Sequence, residues 1–181
     1  PDPFLFADGR RVETMDDWNW RRDELRELIL HYEYGELPPA PGNVKGVLLI
    51  SHFPKRDGQT QRTLQHRQYK ITCGPNDQLS CVIDLLIPDD HGAHPVILTG
   101  DACWGPVKDE VAEKILARGY ILAQFNRCEF SPDLGTKDGP IFRAYPNREF
   151  GAIAAWAWGY ARVIDFLQTL PEIDKSKIVV S

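Results

Sequence analysis

The rhythm of residues 95–181 constrains this chain more than any other feature. A short apolar run, a helical pattern, a second apolar run, a longer helical pattern and a third apolar run follow one another. Val96-Ile97-Leu98-Thr99 suits a strand buried on both faces, because no polar position alternates with the apolar ones. Val107, Val111, Ile115 and Leu116 then fall on one side of a helix, with Gly119 past its end. Tyr120 to Phe125 is the next strand, and a long polar loop runs on to about Glu149. A helix spans about Gly151 to Leu170, and after a Pro/Asp turn comes the strand Ile178-Val179-Val180. Strand, helix, strand, helix, strand predicts a parallel sheet built from right-handed crossovers.

Upstream the pattern differs. Residues 1–43 read as an extended arm to about Thr14 and then a helix. Thr14 and Asp17 form a capping-box pattern, and Trp18, Leu25, Leu28, Ile29 and Tyr32 mark one helical face. Arg21, Arg22, Glu24, Arg26 and Glu27 lie on the other faces and read as solvated. Gly35 ends the helix, and the proline-rich 37–41 cannot continue it. Residues 44–94 hold three strand-like runs, Val47–Ile50, Gln68–Thr72 and Cys81–Ile87, separated by loops rich in Gly, Asp and Pro. The fold class is therefore α/β, with antiparallel first strands leading into a parallel sheet across residues 95–181.

Composition narrows the functions. The 181 residues carry a net charge of −5, with 43% hydrophobic and 26% charged residues, the balance of a globular protein. Arginines scattered among carboxylates form no basic patch, which argues against a nucleic-acid partner. No apolar run approaches the roughly 18 residues that span a bilayer, which argues against a membrane partner. The chain begins at Pro1 without a charged-then-apolar leader, so a signal peptide, where one existed, was removed or left out. The four cysteines, Cys73, Cys81, Cys103 and Cys128, lack the paired spacing of a zinc site. Cys73 and Cys81 flank the turn-rich 74–78, so two readings stand: a cross-strand disulfide or two buried thiols.

The last helix carries a more specific signal. Gly151-Ala152-Ile153-Ala154-Ala155-Trp156-Ala157-Trp158-Gly159, with Arg162, Ile164 and Asp165 beyond it, closely resembles the helix before the nucleophile in glucuronoyl esterases, the family 15 carbohydrate esterases. Asp2-Pro3-Phe4, Asp8-Gly9, Trp18, Arg21-Arg22, Glu24, Tyr32 to Gly35 and Leu37-Pro38-Pro39 resemble the opening of the same family, and Gly119-Tyr120 with Phe125-Asn126 resembles its central strand. The resemblance runs from residue 2 to residue 181 and is weakest between about 44 and 94. Trp156 and Trp158 read as packing residues, and their spacing points them at different neighbours.

The resemblance implies an α/β-hydrolase three-layer sandwich, here incomplete and stopping before the nucleophile elbow. In the family, the strand similar to Ile178-Val179-Val180 runs into Gly-x-Ser-Arg-x-Gly-Lys, whose sharp turn presents the serine hydroxyl. Ser181 aligns with the residue before that glycine. The catalytic serine, acid and histidine are thus expected downstream of Ser181, and the chain alone is expected to be inactive. Ser181 has no glycine-bracketed turn after it and does not read as the nucleophile. His31, His52, His66, His91 and His94 all precede the elbow and read as surface or loop residues. A separate triad of Ser51, Asp57 and His66 has no scaffold to fix it.

Two loops remain as candidates for the rim of a site. Gly100-Asp101-Ala102-Cys103-Trp104-Gly105 follows a strand where α/β-hydrolases place a second oxyanion N–H. Asp101, Ala102 and Cys103 depart from the family's more glycine-rich stretch. Trp104 reads either as a platform for a sugar or as buried against the sheet. Arg127, after the central strand, could meet an acidic sugar through its guanidinium or pair with Glu129 or Asp133.

For the parent enzyme the resemblance implies serine-type acyl transfer on plant cell-wall polysaccharide. The bond cleaved would join a lignin alcohol to the 4-O-methyl-glucuronate of glucuronoxylan. No metal or organic cofactor is implied, and the location implied is secreted or periplasmic. An acetyl-xylan or related carboxylesterase is the alternative on the same fold. A non-catalytic fragment, or half of a split enzyme partnered by the missing carboxy-terminal half of its domain, is the alternative from another class.

Overall fold

A computed structural model describes residues 2–54 and 64–181. Alternation builds its centre. In β3 (Leu79–Pro88), Leu79, Cys81, Ile83, Leu85 and Ile87 are all buried, so one face of the strand is wholly committed to the core. It pairs antiparallel with β2 (Leu64–Cys73), which pairs antiparallel with the outer strand β1 (Lys45–His52). β5 (Ile121–Phe125) lies antiparallel against the other edge of β3, with Ile83 opposite Phe125. β4 (His94–Thr99) and β6 (Ile173–Val180) follow in parallel, giving the order β1-β2-β3-β5-β4-β6. The antiparallel opening and parallel continuation expected from the sequence are both present.

Two helices cover opposite faces. α4 (Ala152–Leu167) packs on the face that carries Ile83, Val96, Leu98 and Phe125. Its Phe166 ring lies 5.1 Å from Tyr69, its Tyr160 ring 4.9 Å from Phe125 and its Trp158 ring 6.0 Å from Phe130. α2 (Asp109–Leu116) covers the other face, where Leu122 and Gln124 point. Each large side chain fully buried in these layers stabilises the fold by about 1.5–3 kcal/mol relative to its exposed state.

α1 (Met15–Ile29) starts as its capping box requires: Thr14 accepts from the Asp17 N–H, and the Asp17 carboxylate accepts from the Thr14 N–H. The helix ends in a wider turn at Leu30–Tyr34, closed by Gly35 at φ 78°. A side chain at Gly35 would bring its Cβ within 2.2 Å of the Glu149 carbonyl, because Gly35 bridges to Phe150 in front of α4. Trp158 extends this tie, donating its indole N–H to the Pro39 carbonyl at 3.3 Å.

Several expectations need correction. Arg21 is buried, not solvated, donating to the Pro3 carbonyl and paired with Glu24 at 2.6 Å. The arm is not extended: Leu5 bridges back to Arg11 around Gly9, and Phe4 packs on Trp18. Leu28, Ile29 and Tyr32 are exposed, so only the first part of the apolar stripe of α1 is covered, where Trp18 meets Phe4. In α2 the buried residue is Ala112, while Val107 precedes the helix and gives its N–H to the Gln124 side chain. β5, rather than β4, is buried at every position. The loop after β5 is not simply polar: it contains α3 (Pro140–Ala144), which buries Ile141, Phe142 and Ala144.

All four cysteines are free, and Cys73 and Cys81 are buried thiols. The hairpin register explains why they do not join. Cys73 faces Leu79 and Cys81 faces Ile71, so the two are offset rather than opposite. Burial pushes the Cys73 thiol up to about 11 and raises Cys81 further.

Candidate functional site

The carboxyl ends of β4, β5 and β6 meet on one side of the sheet. The Ser181 N–H donates to the Leu98 carbonyl at 2.9 Å, and the Arg127 N–H donates to the Gly100 carbonyl at 2.9 Å. Asp101 bridges antiparallel to Asn126, joining the loop after β4 to the segment after β5. Open α/β sheets bind their ligands at such strand ends, where loops diverge from a rigid base.

Tyr160 of α4 holds this junction, and sequence reasoning missed it. Its hydroxyl accepts from the Gly100 N–H at 2.5 Å and donates to the Ser181 carbonyl at 3.3 Å. A Cβ on Gly100 would lie 2.7 Å from the Tyr160 hydroxyl, so the backbone passes where only glycine fits. The usable signal was a tyrosine two positions after Trp158, in a helix whose other residues are mainly apolar.

The candidate residues fall in two neighbouring single turns, Ala102–Trp104 and Arg127–Glu129. Asp101 pairs with Arg127, so the partner of that guanidinium is neither Glu129 nor Asp133. The same guanidinium lies 4.5 Å over the Trp156 ring, whose N–H donates to the Ser131 carbonyl at 2.7 Å. Trp104 is 74% exposed, which removes the reading that buries it against the sheet. Ala102 and Cys103 are half-buried beside it. The Cys103 side chain lies beside that of Cys128. Burial, followed by the Cys128 contact, holds Cys103 above the ordinary thiol range. Trp156 and Trp158 point apart as expected, and Arg162 is buried over Trp158 and paired with Asp165.

From the sequence, Glu129 stands out only as a partner for Arg127. It is half-buried and accepts the Val82 N–H at 3.3 Å, just beyond the last β3–β5 pair. Burial raises its carboxyl above the ordinary range, more than that hydrogen bond lowers it.

The histidines lie elsewhere. His66 is in β2 and contacts Asp84 at 2.7 Å, with the His52 ring 4.9 Å away. His94 is buried at the amino end of β4, opposite the junction, between the Gly119 carbonyl and Asp90. Neither is a surface or loop residue. Ser51 accepts from Gln65 rather than meeting His66, and Asp57 lies outside the described residues. A cleft of about 570 Å³ lies away from the junction, between the end of α1 and the residues before α4. Glu27, Glu36 and Glu149 line it, an unfavourable setting for an acidic sugar. Among the described residues, no group of three or more His, Cys, Asp or Glu is gathered to hold a metal, and no helix is long and apolar enough to cross a membrane.

The family model described as "Glucuronyl esterase, fungi" matches residues 74–181, from the turn after β2 through β6. A 4-O-methyl-glucuronoyl methylesterase of Wolfiporia cocos is 30% identical over the whole of this chain, which spans 42% of that relative. The glucuronoyl esterase structure from Solibacter usitatus shares the fold at a TM-score of 0.78 and 22% identity, covering 99% of this chain and 56% of its own. A mutant glucuronoyl esterase from Sporotrichum thermophile, solved in complex with methyl 4-O-methyl-beta-D-glucopyranuronate, is 26% identical at a TM-score of 0.70. This chain is covered to 99% there and spans 44% of that structure. With its antiparallel opening, its parallel core and the match from β3 to β6, the chain belongs to the glucuronoyl esterase family, on an α/β-hydrolase fold.

Proposed function

We propose that the protein carrying this chain is a serine-type carboxylic ester hydrolase of plant cell-wall polysaccharide. Residues 1–181 are, on this reading, the amino-terminal part of one catalytic domain: arm and first helix in 1–43, antiparallel strands in 44–94, and the βαβαβ unit in 95–181. The substrate is a 4-O-methyl-glucuronoyl ester of glucuronoxylan, of the lignin–carbohydrate type, and the protein works secreted or in a periplasm. The match over residues 74–181 carries this reading, because it spans the scaffold that in this fold leads to the nucleophile.

The nucleophilic serine follows β6 in the longer protein, with a histidine as general base and a carboxylate that orients it. The loop at Asp101, Ala102 and Cys103 contributes the rim beside the developing oxyanion, and Tyr160 fixes the backbone on which that rim stands. Exposed Trp104 offers a flat face to a sugar ring. Arg127, engaged by Asp101 and Trp156, shapes the rim from behind. The further partner is the remainder of the same domain, supported by the apolar edge that β6 exposes at Val179 and Val180.

The test compares the full-length protein on methyl esters of 4-O-methyl-glucuronate and on acetyl esters of xylan. A kcat/KM at least about tenfold higher on the glucuronate ester, roughly 1.4 kcal/mol of transition-state discrimination, is expected. Preference for the acetyl ester overturns the proposal in favour of an acetyl-xylan or related carboxylesterase.

A further inference from the structure

Cys103 and Cys128 occupy equivalent places in two different loops. Each is the middle residue of a single turn, Ala102–Trp104 after β4 and Arg127–Glu129 after β5. Three contacts hold the turns side by side: the Asp101–Asn126 bridge, the Arg127 N–H on the Gly100 carbonyl, and the Arg127–Asp101 ion pair. Cys128 is set further by its own N–H, which donates to the Asn126 side chain at 2.8 Å. Within this frame Cys103 and Cys128, each two positions past the bridged pair Asp101 and Asn126, lie side by side. Both are partly exposed, whereas Cys73 and Cys81 are fully buried on the core face of the hairpin. A small oxidant therefore reaches one pair and not the other.

We propose that Cys103 and Cys128 are a reversible oxidation site, closed to a disulfide by exchange with a low-molecular-weight disulfide. The thiolate of one cysteine attacks a sulfur of the oxidant, forming a mixed disulfide and expelling one small thiolate. The second cysteine, as thiolate, attacks the protein sulfur of that mixed bond and expels the other small thiolate. Two protein thiols lose two protons and two electrons, and the small disulfide is reduced to two thiols. The bond staples the loop after β4 to the end of β5, fixing the backbone at Asp101 against Arg127. This inference stands on the two turns themselves and is independent of which ester the protein hydrolyses.

The test uses the full-length protein, reduced and then incubated with excess glutathione disulfide at mildly alkaline pH. Non-reducing peptide mapping is expected to show a Cys103–Cys128 linked peptide that has lost two hydrogens, with Cys73 and Cys81 alkylated only after unfolding. Cys128→Ser is expected to retain a glutathione adduct on Cys103, because no second thiol resolves it. A wild-type protein that retains the same adduct, or returns both thiols unmodified, overturns the proposal. Glucuronate ester hydrolysis is not the readout, so the outcome is separable from that of the functional assay.

Discussion

The Tyr160 hydroxyl accepts a hydrogen bond from the Gly100 backbone N–H at 2.5 Å. Because it also donates to the Ser181 carbonyl and its ring meets the edge of Phe125, one side chain of α4 touches the ends of three strands. The junction is held by a helix, and loops alone do not set it.

Tyr160→Phe keeps the ring on Phe125 and removes both hydrogen bonds. Leaving the Gly100 N–H without its acceptor is expected to cost about 1–2 kcal/mol. Urea unfolding of the full-length protein reads this as a lower midpoint at unchanged slope. An unchanged midpoint would show that water replaces the hydroxyl without loss.

Gly35→Ala addresses the turn that closes α1. The residue sits at φ 78°, and a methyl group there meets the Glu149 carbonyl at 2.2 Å, backbone that cannot swing aside. Destabilisation of about 2 kcal/mol or more is expected from strain and clash together. Thermal unfolding measures it. A variant within experimental error of the parent would mean that the segment before α4 relaxes freely.

Asp101 and Arg127 form an ion pair whose carboxylate end is open to solvent. A double-mutant cycle through Asp101→Asn and Arg127→Met is expected to give a coupling of about 0.5–1 kcal/mol, decreasing as salt rises. Arg127→Lys is expected to behave more like Met than like Arg, because an ammonium loses the planar stack on Trp156. Salt-independent coupling would point to packing, not charge.

Glu129 makes stability depend on pH in a direction opposite to most carboxylates. Burial raises its folded-state value above that of the unfolded chain, so its favourable contribution is complete below the unfolded value and is lost as pH rises through the folded one. Glu129→Gln can still accept the Val82 N–H and carries no charge to desolvate. Its melting temperature relative to the parent is expected to climb as pH rises from the ordinary glutamate range toward neutrality. A difference that stays flat with pH would contradict this account.

The succession of strands and helices along the chain was readable because the apolar periods of 2 and 3.6 differ sharply in residues 79–88 and 152–167, whereas the place of β5 between β3 and β4 was not. The capping box at Thr14 was readable for the same local reason. Burial was less so. Arg21 lies three residues after Trp18 and four before Leu25, in line with the apolar stripe of α1 despite its charge, and it is covered because the arm folds over it through the Pro3 carbonyl. The offset of Cys73 from Cys81 depends on the two left-handed residues Asn76 and Asp77, which set the hairpin register. At the candidate site, Asp101 and Arg127 were each singled out, but their pairing required the two loops to be placed in space. The local sign at Tyr160 is only a hydroxyl in a mainly apolar helix, which does not reveal its role, since its partners lie 60 and 21 positions away along the chain.

The order β3-β5-β4 has a consequence for how the chain comes together. β5 is the later segment in sequence, yet it occupies the slot between two strands synthesised before it. The β1–β3 meander closes through neighbouring residues, whereas β4 must wait, unpaired on that side, until Ile121–Phe125 arrives. Insertion of that five-residue segment, buried at every position, joins the antiparallel and parallel halves in one event. Such non-local closure is slow compared with hairpin formation, so the β2–β3 hairpin is expected to form before β5 docks. Until it docks, the facing edges of β3 and β4 stay unpaired and open to misassociation.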